Sequence, residues 1–172
     1  MNRIEIASRV TNAASLTGEF KLRSGGTSNR YFDKYMFESE PDLLKAICDE
    51  LAPMIPDETE VLVGMEMGGI PIATLLSQLS GLPLALARKQ AKTYGTLKQI
   101  EGAVTDGRNA LIVEDVITSG GAVADVVDVM RAQGALIQTT LCVINRNIVN
   151  PAAFIERDIE LLQLFTLEDF GD

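Results

Sequence analysis

Apolar residues recur along this chain in two rhythms. From about Arg3 to Leu16, Ile4, Ala7, Val10 and Ala14 fall at helical intervals, and Thr17-Gly18 ends the predicted helix. A hairpin-like segment follows, in which Phe20 and Leu22 alternate before Ser24-Gly25-Gly26 and Tyr31-Phe32 stand after it. Pro41 opens a second predicted helix with Leu44, Ile47, Cys48 and Leu51 on one face, stopping before Pro53. Beyond it the period changes. Val61-Leu62-Val63, Leu84-Ala85-Leu86, Ala110-Leu111-Ile112-Val113 and Leu141-Cys142-Val143-Ile144 are short, almost unbroken apolar runs, the pattern of strands covered on both faces. Helical stretches, Pro71 to Leu79 and Ala122 to Gln133 with Gly134 closing the second, lie between them, and Ile159 to Phe165 reads as a final strand.

Strand, loop, helix and strand in repetition imply right-handed crossovers and a mostly parallel sheet with helices on its faces. Ligands of such sheets bind at the carboxyl ends of the strands. Three loops then share one rim: Gly64 to Gly69, Glu114 to Gly121, and Asn145 onward. No linker, low-complexity tract or internal repeat interrupts the 172 residues, so one domain over 1–172 is expected.

Charge narrows the function. With 15 Lys+Arg against 24 Asp+Glu the net charge is -9, which disfavours binding along a polyphosphate, and no nucleic-acid partner is expected. There is no histidine, so no Ser-His or Cys-His nucleophile and no His metal ligand can exist. Cys48 and Cys142 sit in apolar segments without metal-like spacing and read as buried hydrophobes. Met1-Asn2-Arg3-Ile4-Glu5-Ile6 has no signal-peptide core, and nowhere do about 18 apolar residues run uninterrupted; a cytoplasmic protein without membrane spans is expected.

The richest stretch is Leu111-Ile112-Val113-Glu114-Asp115-Val116-Ile117-Thr118-Ser119-Gly120-Gly121-Ala122. A buried strand is expected to end in two carboxylates and to run into a small-residue turn that opens a helix. Backbone N–H groups from Thr118 to Ala122, two hydroxyls and the positive helix end make a cradle for a terminal phosphate. The carboxylates just upstream can accept hydrogen bonds from sugar hydroxyls and hold a hydrated Mg²⁺ nearby. An isolated Asp-x-x-Thr is more often a solvated strand end and an N-cap. Here carboxylate pair, hydroxyl pair and glycine pair occur in register between strand and helix.

This segment resembles the donor signature of the type I phosphoribosyltransferases, which use 5-phosphoribosyl 1-pyrophosphate (PRPP) with Mg²⁺. The resemblance implies a Rossmann-like parallel sheet flanked by helices, with a small N-terminal hood at about 17–38. A second stretch, Arg88-Lys89-Gln90-Ala91-Lys92-Thr93-Tyr94-Gly95-Thr96-Leu97-Lys98-Gln99-Ile100-Glu101-Gly102, is similar to the mobile loop (about 88–102) of the orotate phosphoribosyltransferases. The expected PRPP contacts are Arg23, Arg88, Lys89, Lys92, Tyr94, Glu114, Asp115, Val116, Ile117, Thr118, Ser119, Gly120, Gly121 and Ala122. Among these Lys92, Asp115 and Glu114 carry the catalytic roles. Orotate contacts are expected at Tyr31, Phe32, Thr118 and Arg146, and a homodimer whose 88–102 loop reaches the neighbouring site is implied.

The stretch Phe20 to Gly25 with Ser28, Tyr31, Phe32 and Asp33 resembles the family's hood strand, and Gly64-Met65-Glu66-Met67-Gly68-Gly69-Ile70-Pro71 its pyrophosphate loop. Some positions depart. Arg23 replaces a common Lys, Gly68 stands where some members have a pyrophosphate-binding Lys, and Asn145 replaces the usual Asp before Arg146, with Asn147-Ile148-Val149-Asn150 following in place of a small turn. Arg146 is the expected partner of the orotate carboxylate. A phosphoribosyltransferase for another base and a non-catalytic PRPP sensor remain open at this point.

Overall fold

The computed structural model describes residues 1–21, 25–90, 98–147 and 149–170. Helix α1 (Arg3–Ala14) starts at a capping box, in which Asn2 and Glu5 each bond the other's backbone N–H, and buries Ile6, Ala7, Val10 and Ala14. It ends earlier than its apolar spacing predicts. Ser15 and Leu16 already belong to strand β1 (Ser15–Lys21), paired antiparallel with β2 (Thr27–Phe32) through Ser15–Phe32 and Leu16–Tyr31. Thr17-Gly18 is therefore no helix stop. It lies where the β1–β2 register shifts, between Thr17 and Phe20, a usual place for glycine in a strand.

Helix α2 (Lys34–Glu38), unforeseen in the sequence, is capped by the Asp33 side chain, which accepts from the Tyr35 N–H at 3.1 Å. Helix α3 (Pro41–Leu51) has Pro at its first turn and passes into a 3-10 turn, Ala52–Met54, that takes in Pro53. The main sheet follows: β3 (Val61–Met65), α4 (Gly69–Ser80), β4 (Leu84–Ala87), β5 (Ile100–Gly102), β6 (Ala110–Ile117), α5 (Gly121–Ala132), β7 (Thr139–Asn145), the short α6 (Ala152–Ile155) and β8 (Glu160–Thr166).

Among the described residues the strand order is β5-β4-β3-β6-β7-β8, all parallel except β5, which pairs antiparallel with β4. Alternation along the central strands splits the core. Leu62, Leu111, Val113 and Leu141 join Ile6, Leu43, Ile47 and Ile72 under α1, α3 and α4. Val61, Val63, Ile112 and Cys142 join Val126, Val127, Met130 and Phe154 under α5 and α6. The chain proceeds outward from β3 to β4 on one side and from β6 to β7 and β8 on the other. The crevice beyond β3 and β6 is thus the topological switch point, where parallel sheets bind ligands.

Candidate active site

Strand β6 runs further than its apolar run suggests. Glu114 and Asp115 do not end it: they lie inside it, pairing continues from Glu114–Cys142 to Ile117–Asn145, and both acids are buried, Asp115 at 0% exposure and Glu114 at 7%. The turn begins only at Thr118. Gly120 takes the left-handed conformation, φ 72°, and a Cβ there would sit 2.7 Å from the Phe154 ring. That close approach lets the turn lie down on α6 while α5 starts at Gly121.

A cavity of about 160 Å³ opens at this corner. It collects Glu114, Val116, Ile117, Thr118, Ser119, Gly120, Gly121 and Ala122 from β6 and its turn, together with Lys89 from the segment after β4 and Lys34 from α2. Thr118 and Ser119 are exposed toward solvent. On the far side of the turn, the Asn147 side chain donates to the Thr118 carbonyl and the Arg146 N–H donates to the Ile117 carbonyl at 2.8 Å, so the loop after β7 braces the cradle. Asn147, a departure from the family pattern, thereby has a place in the architecture.

Lys34 and Glu38 are the residues that the sequence left unmarked. Lys34 Nζ lies 2.9 Å from Asp115 Oδ1, 2.8 Å from Oδ2 and 3.9 Å from Glu114 Oε1. Glu38 comes from the next turn of α2, and its Oε1, like Glu114 Oε2, is buried without a hydrogen-bond partner. Burial and the Asp115 carboxylate push the carboxyls of Glu114 and Glu38 well above the usual carboxylate range. Burial opposes ionisation of Asp115 as well, but hydrogen bonds from Glu114 and Lys34 outweigh it and hold its pKa below the usual value. Gly68, at the start of α4, completes the enclosure: a Cβ there would fall 1.8 Å from Asp115 Oδ2 and 2.8 Å from Glu38 Oε1. The only signal in the sequence was an i, i+4 Lys–Glu pair just after a capping Asp, which says nothing of the strand it faces.

The other expected site residues divide. Arg88 reaches across to Glu66 in the loop after β3, with NH1 3.7 Å from Oε2, so two rim loops meet. Phe32 and the exposed Arg146 line a separate cavity of about 60 Å³ with Thr11, Ser15, Ile144, Leu167 and Phe170, whereas Thr118 belongs to the larger one. Tyr31 is 45% exposed and stacks on Phe20, ring centroids 5.3 Å apart. Arg23, Lys92 and Tyr94 lie outside the described residues.

Residues 41–151 match the model of the phosphoribosyl transferase domain. The orotate phosphoribosyltransferase of a Nocardioides species is 46% identical over 142 residues, which is 83% of this chain and 79% of that protein. The orotate phosphoribosyltransferase of Halobacterium salinarum is 41% identical over 155 residues, 90% of this chain and 88% of that protein. The fold is shared with the crystal structure of the Mycobacterium tuberculosis orotate phosphoribosyltransferase in complex with 5-phospho-alpha-D-ribosyl 1-diphosphate, at a TM-score of 0.82 and 22% identity over 99% of each chain. With that domain model and those relatives matching most of its length, the chain belongs to the orotate phosphoribosyltransferase family and has the type I phosphoribosyltransferase fold.

Proposed function

We propose that this chain transfers ribose 5-phosphate from PRPP to orotate, forming orotidine 5'-monophosphate and pyrophosphate, a step of UMP synthesis. The observation that carries the reading is the corner at the end of β6, where Glu114, two lysines and an amide-lined turn surround one cavity and Asp115 lies buried beside it, paired with Lys34. Thr118, Ser119, Gly120, Gly121 and Ala122 receive the donor's 5-phosphate on backbone N–H groups and the positive end of α5. Asp115 and Glu114 accept from the ribose hydroxyls. Lys89 faces the same cavity, and with Arg88, Lys92, Tyr94 and Arg23 it binds the pyrophosphate. Tyr31, Phe32, Thr118 and Arg146 take the base, the guanidinium pairing with the orotate carboxylate.

The reaction is a displacement at the anomeric carbon, in which a nitrogen of orotate attacks as pyrophosphate leaves. It needs no protein nucleophile: as the C–N bond forms and the C–O bond to pyrophosphate breaks, the acidic ring N–H of orotate gives up its proton to solvent, so no histidine base is required. Positioning and charge therefore carry the rate, with Lys92 on the departing pyrophosphate and the buried acids beside the ribose as positive charge develops on it. Among the described residues no group of three or more His, Cys, Asp or Glu forms a metal site. Mg²⁺ would accordingly be held chiefly by the donor's phosphates, with the unpartnered Glu114 Oε2 accepting from its water shell. Bound there, the ion supplies positive charge to the pyrophosphate.

The working unit is one domain over 1–172, with the hood at about 17–38 and the 88–102 loop closing over the site of a partner in a cytoplasmic homodimer. Among the described residues no helix is long and apolar enough to cross a membrane. The test is to supply the purified chain with PRPP and Mg²⁺ and then, separately, orotate, adenine, hypoxanthine or uracil, and to measure pyrophosphate. Release with orotate alone is expected; release with another base in its place, or with none, overturns the assignment.

A further inference from the structure

Asp115 is the most enclosed charged group of the site, and the side chain that pairs with it comes from outside the main sheet. Lys34 opens α2, two residues beyond Phe32 at the end of β2, and its ammonium lies within 3 Å of both Asp115 oxygens while still lining the donor cavity. The loop between β3 and α4, Glu66-Met67-Gly68, contains no cation, and its Glu66 faces Arg88. Its contribution is space: without a side chain at Gly68 the Asp115 carboxylate has room to sit where it does. Glu38, from the same short helix, closes the remaining side.

We propose that Lys34 is a positioning residue of the donor site, holding the Asp115 carboxylate in the orientation that receives the ribose of PRPP. The inference rests on the donor-site reading above. Lys34 acts through Asp115, so the two residues form one unit. Removing either loses the same interaction with the donor, and removing both loses it once.

A double-mutant cycle read by calorimetry of PRPP binding, with Mg²⁺ present, tests this. Lys34→Met and Asp115→Asn are each expected to weaken PRPP about tenfold, and the double variant to bind within about twofold of the weaker single one. In Lys34→Met the KM for orotate should stay within about twofold of wild type, which a general loss of structure would not allow. Weakening that multiplies in the double variant, or a Lys34→Met chain that binds PRPP as wild type does, overturns the proposal. Removing one partner of a buried pair can prevent folding. In that event Asp115→Asn is compared with Lys34→Met/Asp115→Asn, neither of which leaves an unpaired Asp115 charge. Equal affinities support the coupling and a gap of about tenfold overturns it. A wild-type chain that takes up no PRPP would sink the donor-site reading itself, an outcome distinct from either.

Discussion

Gly120 shows how one residue can serve both stability and ligand. Its φ of 72° costs a side-chain-bearing residue about 1–2 kcal/mol, and any Cβ would press on Phe154. Gly120→Ala should therefore lower the unfolding midpoint and weaken PRPP together, measured by thermal denaturation and calorimetry; an unchanged midpoint would contradict the close packing described. The cysteines are a different case. Burial pushes the Cys48 thiol up to about 12 and raises Cys142 as well, so at pH 8 neither supplies thiolate. Ellman's reagent at that pH should find no reactive thiol in the native protein and both after denaturation. At this scale the sequence was legible where chemistry is local: Glu114, Asp115 and the Thr118 turn announce themselves in one stretch. Lys34 did not, because its partner is 81 positions away and no spacing rule connects α2 to β6.

At the scale of elements, α6 spans only Ala152–Ile155, yet Phe154 is fully buried and underlies the turn at Gly120. Phe154→Ala should cost about 3–5 kcal/mol of stability by chemical denaturation. It should also loosen PRPP binding, because the cradle would lose its floor. The 88–102 loop is the element proposed to meet the leaving group, and Lys92→Ala is expected to lower kcat about 100-fold. A change of less than about threefold would remove Lys92 from that role. The strands β3, β4, β6 and β7 were readable from their apolar runs because a strand covered on both faces must be apolar nearly throughout. Strand β5 and helices α2 and α6 were not, being too short to show a period. Helix α1 ends before its apolar spacing does because Ser15 and Leu16 gain partners in β2, a pairing that helical spacing cannot register.

For the whole molecule, the net charge of -9 sets the background against which the site works. Lys34 and Lys89 line the corner where an anionic donor is proposed to bind, local positive charge in a chain whose net charge disfavours polyanions. The homodimer with exchanged loops proposed above makes a prediction of its own. A Lys92→Ala chain and an Asp115→Asn chain, each nearly inactive, should regain about a quarter of wild-type activity when mixed and allowed to exchange, since half the dimers would then carry one intact site of two. Mixtures no more active than their components would show that each loop serves its own subunit.

By itself the sequence determined the class of fold, the strand, turn and helix start proposed as the donor cradle, and the exclusion of histidine chemistry, because each follows from residues close together in the chain or from composition. Only the tertiary structure decided that the acids lie within β6, that Lys34, Glu38 and Gly68 enclose them, and that Asn147 clasps the Thr118 turn. These depend on strand order and on helices brought over the sheet edge. Such neighbours are set by the packing of distant apolar faces, and a linear pattern of residues does not carry that information.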